Sequence, residues 1–220
     1  MQVKRVTRSK TEARAAYNRL SRIYDLLAGA SETPLMQLGL DMLALDKGES
    51  VLEIGYGTGK ALVAMTLQVG KSGMVHGIDL SLGMLLQARG RLVRMGMLNQ
   101  VSLLLGDGAR LPYQNQSFNA IFISFTLELF DTPEIPSVLE ECFRVLLPGG
   151  RLGVVALLKT GQPGRIVRLY EWFHDHFPTY ADCRPIDAAA QIQAAGFWMA
   201  DRKLKSMWGL PVELVVAQKK

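Results

Sequence analysis

Short apolar segments alternate with longer amphipathic segments from residue 50 onward. The apolar segments are rich in aliphatic and β-branched residues, which is typical of strands buried on both faces of a sheet. Because strands separated by helices need crossover connections, the alternation predicts a mostly parallel sheet covered by helices on both faces. The five predicted strands are Val51–Ile54, Met74–Ile78, Val101–Leu105, Ala120–Ser124 and Leu152–Leu158.

Helix start and stop residues lie between these strands. Ser81 is a favourable N-cap for a helix over Leu82–Met95, and Gly96 is a favourable end for it. Pro148–Gly150 is expected to turn the chain from a helix at 132–146 into the fifth strand. The other predicted helices are Thr11–Ala28, Pro34–Leu45, Arg165–Phe177 and Ile186–Ala195.

The end of the chain predicts a closing pair of strands. Arg202–Met207 and Val212–Ala217 have the residue types of strands, and Gly209 and Pro211 interrupt them. Such a short interruption favours an antiparallel pair. The pattern as a whole therefore predicts one α/β domain, with a seven-stranded sheet that is mostly parallel and ends in an antiparallel strand.

Composition sets limits on the class of protein. The chain has 220 residues, of which 49% are hydrophobic and 20% charged, as in ordinary folded domains. No apolar run approaches the roughly 20 residues that cross a bilayer, and the polar N-terminal residues do not resemble a signal peptide. Cys142 and Cys183 lie outside any metal-ligand spacing, so we expect no metal site and a reducing, cytoplasmic setting.

Positive charge is concentrated at the start of the chain. Residues 1–22, the basic arm, carry a net charge of +6, whereas the remaining residues carry −1. Such an arm suits an anionic lipid surface or a nucleic acid, although a solvated terminus has the same composition. We expect residues 1–45 to form this arm and a helical lid, and residues 46–220 to form one binding domain.

A glycine-rich turn follows the first predicted strand. Its glycines have the spacing G-x-G-x-G over Gly55–Gly59, whereas a dinucleotide-binding turn has G-x-G-x-x-G. Glu53 precedes the first glycine by two residues. A carboxylate there would repel a pyrophosphate but would suit a ligand with positive charge, such as S-adenosylmethionine. The spacing therefore argues against a nicotinamide dehydrogenase.

The segment E-x-G-x-G-x-G after a hydrophobic strand resembles motif I of class I S-adenosylmethionine-dependent methyltransferases. The resemblance implies a Rossmann-like, doubly wound fold. Asp79 ends the second strand, where a carboxylate can accept two hydrogen bonds from ribose hydroxyls. Asp107 resembles the family's acceptor for the adenine amine, with Gly108 and Ala109 beside the ring. An acid at a helix start and an acid in a turn are the structural alternatives for Asp79 and Asp107.

The order of elements resembles the ubiquinone and menaquinone biosynthesis C-methyltransferases more closely. Residues 17–25 are similar to the helix that those enzymes fold over the cofactor, and the aromatic segment Tyr170–Tyr180 occupies the place of their acceptor pocket. The match departs after the fourth strand, where Glu128 and Leu129 replace an arginine and an asparagine of the quinone enzymes. A quinone head group is therefore not implied by the resemblance alone.

Site residues follow from these comparisons of motif and position. The candidates for a base that deprotonates the acceptor are Glu128, His174, His176 and Tyr24. Glu128 comes first because the end of the fourth strand faces the methyl donor in this fold. The alternative for Glu128 is an exposed acid at the start of a helix. The predicted cofactor-binding residues are Tyr17, Tyr24, Glu53, Gly55, Tyr56, Gly57, Gly59, Asp79, Leu80, Asp107, Gly108 and Ser124.

The resulting functional hypothesis is methyl transfer from S-adenosyl-L-methionine, with S-adenosyl-L-homocysteine as product. The expected acceptor is a small lipophilic molecule: a quinone precursor, an isoprenoid or a lipid head group. The basic arm would then touch a membrane surface from the cytoplasmic side. The sequence leaves undecided whether the protein forms a homodimer. The alternatives are a nucleic-acid or protein methyltransferase that uses the arm, and a non-catalytic scaffold. Outside the arm, the sequence argues against nucleic acid because basic and aromatic residues do not interleave.

Overall fold

A seven-stranded sheet is the centre of the computed structural model, which describes residues 10–20, 29–159 and 184–220. Its strands are β1 (Ser50–Ile54), β2 (Met74–Asp79), β3 (Val101–Leu105), β4 (Phe118–Ser124), β5 (Leu146–Leu157), β6 (Trp198–Met207) and β7 (Leu210–Gln218). The helices are α1 (Lys10–Leu20), α2 (Gly29–Leu43), α3 (Lys60–Val69), α4 (Leu82–Arg94), α5 (Ile135–Val145) and α6 (Ala188–Ala194).

The strand order of the sheet is β3-β2-β1-β4-β5-β7-β6. Strands β1 to β5 pair in parallel, and β7 runs antiparallel to both β5 and β6. The order reverses between β1 and β4, which are neighbours in the sheet although two strands separate them in sequence. Ligands of doubly wound sheets bind at such a reversal, beyond the carboxyl ends of the strands.

Two apolar clusters pack on opposite faces of this sheet. On one face, Leu40 of α2 and Met65 of α3 belong to a cluster that includes Val51. On the other face, Leu139 of α5 and the next residue of β1, Leu52, belong to the second cluster. Successive strand residues thus point to opposite faces and are fully buried on both, which confirms the doubly wound α/β fold that the apolar runs predict.

All seven predicted strands are present, and β3 has the predicted bounds. The main difference is β5, which begins at Leu146 rather than Leu152 because the predicted turn lies inside the strand. Gly149 has a φ of 76°, and the pairing register shifts between Phe118 and Ala120 of the neighbouring strand. A left-handed glycine lets the extra residues bulge out of the ladder, so the strand continues through them.

The helices confirm some predicted boundaries and correct others. Ser81 caps α4 as predicted, since its Oγ accepts from the Met84 N–H at 3.2 Å. α2 begins at Gly29, so Pro34 lies inside the helix instead of starting it, and α5 begins at Ile135. The predicted helix at 11–28 is observed as α1 as far as Leu20. Residues 21–28 and the predicted helix at 165–177 lie outside the described residues.

Arg151 on β5 holds the end of α2 against the sheet. Its guanidinium donates to the carbonyls of Leu43 and Ala44 and forms an ion pair of 2.7 Å with Glu49. These bonds satisfy carbonyls that the end of a helix leaves without partners. Within the described residues, no helix is both long enough and apolar enough to span a bilayer.

Replacing Ala44 by glycine is expected to stabilise the protein. Ala44 follows the last residue of α2 with a φ of 50°, a conformation that costs a residue with a Cβ about 1 kcal/mol. We expect Ala44→Gly to raise the free energy of unfolding by about 0.5–1 kcal/mol in urea titrations. The control is Ala64→Gly inside α3, which should lower it by about 1 kcal/mol. A loss of stability at both positions would contradict the assignment of strain to Ala44.

Candidate active site

A cavity of about 210 Å³ lies beyond the carboxyl ends of β1, β2, β3 and β4. We call it the strand-end cavity. The ends of the four strands line one side of it, and residues of α1 and α2 line the other. Its polar and charged side chains include Lys10, Tyr17, Glu32, Thr33, Glu53, Tyr56, Thr58, Lys60, Asp79, Asp107, Ser124, Thr126, Asp131 and Glu134.

The glycine turn between β1 and α3 forms the floor of this cavity. Gly55 has a φ of 74°, and a Cβ there would lie 2.3 Å from the Cγ2 of Thr126. Gly59 has a φ of 81°, and a Cβ there would lie 3.0 Å from the Cβ of Ala88 on α4. Both positions therefore require glycine, since the turn packs closely against the loop after β4 and against α4. Gly55 and Gly57 line the cavity, whereas Gly59 serves the packing of the turn.

Asp79 connects the end of β2 to the glycine turn. One carboxylate oxygen accepts from the backbone N–H of Gly57 at 2.9 Å, and the other from that of Ser81 at 2.8 Å. Burial raises the pKa of Asp79, and the backbone hydrogen bonds partly offset that rise. Each oxygen retains a lone pair, so the carboxylate can still accept two hydrogen bonds from a diol in the cavity.

Glu53 is a buried carboxyl group that lines the same cavity. It is 3% exposed, and its Oε2 has no hydrogen-bond partner among the residues that the structure describes. Burial raises the pKa of Glu53 well above its ordinary value, and the negative charge of Asp79 raises it further. A buried acceptor without a donor is costly, so this oxygen favours a ligand that brings a donor or a positive charge into the cavity.

Tyr56 packs beside these carboxyl groups. Its ring covers β2 at Gly77, where a Cβ would lie 2.6 Å from the tyrosine Cδ1, and its hydroxyl donates to the Leu104 carbonyl at 3.3 Å. The side chain is 3% exposed and lines the cavity. Tyr56 thus contacts both β2 and β3 and fixes the position of the glycine turn relative to the sheet.

Asp107 lies after β3 and is paired with a residue that the sequence did not indicate. Its Oδ2 lies 2.5 Å from the Nζ of Lys10, which also lies 2.7 Å from an oxygen of Glu134. Burial alone would lower the pKa of Lys10, but the hydrogen bonds and charges of Asp107 and Glu134 outweigh it and raise the pKa. Lys10 therefore forms an ion pair with the carboxylate that, by the family resemblance, would accept a hydrogen bond from the adenine amine.

Helix α1 is held over the cavity by a second polar contact. The Oδ1 of Asn18 accepts from the Ser81 hydroxyl at 2.7 Å and from the Gly83 N–H at 2.8 Å, at the start of α4. Tyr17, one residue earlier on α1, lines the cavity as predicted. The two contacts at Lys10 and Asn18 lie two turns apart, so they fix both the position and the direction of the helix.

Apolar residues of α2 and of the loop after β4 also line the cavity. They are Met36 of α2 together with Phe125, Leu129 and Phe130 of the loop after β4. Phe125 has a φ of 48°, which is strained for an aromatic residue and turns the chain sharply at the end of β4. Ser124, just before it, lines the cavity as predicted. Leu129 belongs to the segment in which the sequence departs from the quinone enzymes, whereas Met36 lies in no motif.

Glu128 belongs to the same loop, but it is not among the residues that line the cavity. The side chain is fully buried, and its Oε1 accepts from the Leu157 N–H at 3.2 Å. Within residues 10–20, 29–159 and 184–220, its Oε2 has no hydrogen-bond partner. Burial raises the pKa of Glu128 to about 8, so the group is mostly protonated at neutral pH. The alternative of an exposed acid is wrong, because Glu128 has no exposed surface.

Arg184 is a buried residue that fastens the same loop to the part of the chain before α6. Its guanidinium donates to the Phe130 carbonyl at 2.5 Å and to the Thr132 hydroxyl at 2.9 Å. Burial lowers the pKa of Arg184, and the charges of Asp131 and Glu128 act against that effect. Of the predicted site residues, Tyr24 and His174 lie outside the described residues, as do His176 and Tyr170–Tyr180.

Comparison with known proteins agrees with this geometry. A family model described as a methyltransferase domain matches residues 51–150, which span β1 to the first part of β5. Residues 51–150 form a methyltransferase domain. It contains the glycine turn, Asp79, Asp107 and the loop after β4. The prediction of a class I, S-adenosylmethionine-dependent methyltransferase is confirmed at the level of this domain.

Relatives of the methyltransferase domain include enzymes of quinone metabolism. A demethylmenaquinone methyltransferase of Lactobacillus johnsonii is 36% identical over 141 residues, which cover 63% of this chain and 56% of that protein. A 2-phytyl-1,4-naphtoquinone methyltransferase of Thermosynechococcus vestitus is 29% identical over 167 residues, which cover 74% and 72%. The chain spans about half of the length of the demethylmenaquinone methyltransferases it matches, 56% and 46% for two of them.

The fold extends beyond the matched domain to nearly the whole chain. The crystal structure of the cyclase SpnF is 19% identical and superposes with a TM-score of 0.76, covering 96% of this chain and 97% of that one. That likeness concerns the fold alone, since one fold supports different reactions. It confirms that the helices before β1 and the antiparallel strands after β5 belong to the same architecture.

The cavity of the methyltransferase domain fits S-adenosylmethionine. The unpartnered oxygen of Glu53 and the charge of Asp79 favour the positively charged part of that cofactor, and Asp79 keeps lone pairs for its ribose. Asp107 lies at the end of the third strand, beyond Gly106 and before Gly108, both of which line the cavity. The three carboxyl groups therefore follow one another across the sheet, on β1, on β2 and after β3.

Replacing Lys10 by methionine is expected to tighten cofactor binding. Lys10 and an adenine amine would compete for the same Asp107 oxygen, and a partly exposed ion pair contributes about 0.5–1 kcal/mol. We expect the dissociation constant of S-adenosylhomocysteine to fall about two- to fivefold in calorimetry. Arg14→Met, which removes an exposed charge from the same helix, is the control and should leave it unchanged. Weaker binding by Lys10→Met would mean that Lys10 holds the cofactor instead of competing with it.

Glu128 is expected to make stability depend on pH. Its pKa is raised in the folded protein, so its stabilising contribution is present below pH 4.5 and is lost as the pH rises toward about 8. Glu128→Gln should lack this loss and gain on the order of 4 kcal/mol over the wild type between pH 5 and pH 9. Urea titrations at several pH values measure the difference, with Glu140→Gln, an exposed acid of α5, as control. Parallel curves for Glu128→Gln and the wild type would refute the raised pKa.

Proposed function

We propose that the protein transfers a methyl group from S-adenosylmethionine to a small lipophilic acceptor of the quinone-precursor type. The observation that carries the proposal is that one cavity combines two kinds of lining, which we call its charged half and its apolar half. Glu53, Asp79 and Asp107 supply carboxyl groups at the ends of three strands, and Met36, Phe125 and Phe130 supply an apolar surface from α2 and from the loop after β4. A charged half suits the cofactor, and an apolar half suits a flat or chain-bearing acceptor.

The chain's contribution to such a reaction is chiefly to position the reactants. When bound, S-adenosylmethionine supplies an electrophilic methyl group whose departure leaves a neutral sulfur. The glycine turn and Asp79 would hold the cofactor against the sheet, since Asp79 itself fixes the turn through the Gly57 N–H. Helix α1 and the Phe125 loop would exclude water from the other side. Orienting two reactants in this way reaches effective molarities on the order of 10⁵–10⁸ M.

The nature of the acceptor is supported by the relatives and by the apolar half of the cavity. Named relatives act on demethylmenaquinone and on 2-phytyl-1,4-naphtoquinone, which have apolar side chains on a flat ring. Isoprenoids and lipid head groups remain alternatives, because Glu128 and Leu129 replace an arginine and an asparagine of the quinone enzymes. The acidic residues Glu32 and Asp131 also line the cavity and would orient a polar group of the acceptor.

Glu128 acts in this proposal as a positioning residue. Its contact with the Leu157 N–H ties the loop after β4 to the end of β5, while its neighbour Leu129 lines the cavity. The deprotonating groups that remain proposed are Tyr24, His174 and His176. Residues 1–45 are proposed to act as an arm and lid over residues 46–220, and the basic arm to bring the protein to the cytoplasmic face of a membrane.

Asp79 provides the test of the cofactor half. We expect Asp79→Ala to weaken binding of S-adenosylhomocysteine at least tenfold in calorimetry, because it loses both the diol acceptor and the anchor of the glycine turn. Glu128→Gln is the matched control and should change binding less than twofold, since Glu128 does not line the cavity. Equal effects of the two substitutions would contradict the division of the cavity.

Activity is measured with a labelled methyl donor. The purified protein is incubated with demethylmenaquinone in detergent micelles and, separately, with fractionated cell lipids. We expect label in the quinone or in one lipid fraction, and loss of that label with Asp79→Ala. Cofactor binding without label in any fraction would support a non-catalytic scaffold, and label in RNA or protein would support a polymer substrate.

A further inference from the structure

An apolar stripe runs along the outer surface of α4. Leu82, Leu86 and Val93 are 49%, 57% and 56% exposed, which is high for large aliphatic side chains. Their spacing places them within one narrow arc of the helix, opposite the buried residues Met84 and Ala88. We call these three residues the α4 stripe. Single exposed leucines are ordinary, but an aligned set indicates a binding surface.

The charged residues of α4 itself are all positive. Arg89 and Arg94 are exposed on the same helix, and residues 81–100 contain no acidic residue. The third arginine of the helix, Arg91, points inward and donates to the Thr58 carbonyl at 2.9 Å. Helix α1 of the basic arm is fastened to the start of α4 through Asn18. The surface thus combines apolar side chains with positive charge, and its complement is apolar and anionic.

The α4 stripe begins at the mouth of the strand-end cavity. Leu82 follows Asp79 by three residues, and both Asp79 and Leu80 line the cavity. Leu105, the register partner of Asp79 on the edge strand β3, is also 49% exposed and directly precedes Gly106 and Asp107 of the lining. Exposed leucines therefore flank the ends of two strands at the place where the cavity opens.

We propose that the outer face of α4 docks on the anionic surface of a lipid bilayer, with the α4 stripe inserted among the lipids and Arg89 and Arg94 at the head groups. An amphipathic surface of this kind binds in the interface plane through its apolar side chains and through attraction to anionic lipids. The proposal deepens the proposed function, on which its biological sense rests, because a lipophilic acceptor would then reach the cavity from the membrane.

Other partners match the surface less well. Three half-exposed side chains fall short of the roughly 800 Å² per partner that a stable dimer buries. A nucleic acid would meet the arginines but would leave the leucines and valine without an apolar partner, and α4 offers no aromatic side chain for stacking. A bilayer matches both kinds of residue at once.

Vesicle binding tests the proposal with the full-length protein. The probes are vesicles of phosphatidylcholine and phosphatidylglycerol in a ratio of about 3:1, and vesicles of phosphatidylcholine alone. We expect sedimentation with the mixed vesicles, a drop of about tenfold in the partition coefficient for Leu86→Gln/Val93→Gln, and a similar drop for Arg89→Gln/Arg94→Gln. Raising the salt concentration to about 0.5 M should also release the protein.

A matched control removes exposed apolar residues elsewhere. Leu67→Gln/Leu204→Gln changes two leucines of α3 and β6 that are at least as exposed, and it should bind the mixed vesicles like the wild type. Affinity for S-adenosylhomocysteine should be unchanged in every variant, which shows that the fold and cavity are intact. If neither the wild type nor any variant binds S-adenosylhomocysteine, the proposed function is rejected. The vesicle measurements would then still decide whether the α4 stripe binds a bilayer.

Three results would overturn the proposal. The first is a wild type that does not sediment with the mixed vesicles. The second is equal binding by the wild type and Leu86→Gln/Val93→Gln. The third is a stripe variant that keeps vesicle binding but loses a dimer in analytical ultracentrifugation or loses binding to RNA, which would assign the surface to a second copy or to a nucleic acid.

Discussion

The buried carboxyl group of Glu53 and the half-buried one of Asp79 form the constraint around which the site is built. Both groups lie at strand ends, and the charge of Asp79 raises the pKa of Glu53 beyond the effect of burial. Asp79 is stabilised by the N–H groups of Gly57 and Ser81, whereas the Oε2 of Glu53 has no partner in the described part of the chain. Removing two such groups from water is costly unless they are compensated, so the arrangement favours a cationic ligand.

The glycine turn follows from the same constraint. The backbone N–H of Gly57 reaches Asp79 only if the turn comes close to the end of β2. Gly55 allows this approach because it has a left-handed φ and no side chain to collide with Thr126. A side chain at Gly55 would separate β1 from the loop after β4, and that loop carries the apolar half of the cavity. One local conformation thus determines the positions of both halves.

Much of this arrangement could be predicted from the sequence because it depends on neighbouring residues. The strands follow from apolar runs, and Glu53, Asp79 and Asp107 follow directly from their position at strand ends. The unpredicted features depend on residues far apart in the chain: Lys10 pairs with Asp107 across 97 positions, and Arg184 binds the Phe130 carbonyl across 54. The bulge in β5 was missed because Pro148–Gly150 has the composition of a turn, and only pairing with β4 keeps it in the sheet.

Lys10 and Asn18 show how the cavity and the outer surface are connected. Both belong to α1, yet Lys10 contacts the adenine side of the cavity and Asn18 contacts the start of α4, where the exposed stripe begins. A displacement of α1 would break both contacts together, since the residues lie two turns apart on one rigid helix. Any partner that draws the basic arm toward an anionic surface therefore acts on the same helix that covers Asp107. The proposed attachment at the α4 face would therefore be coupled to access to Asp107 through this single helix.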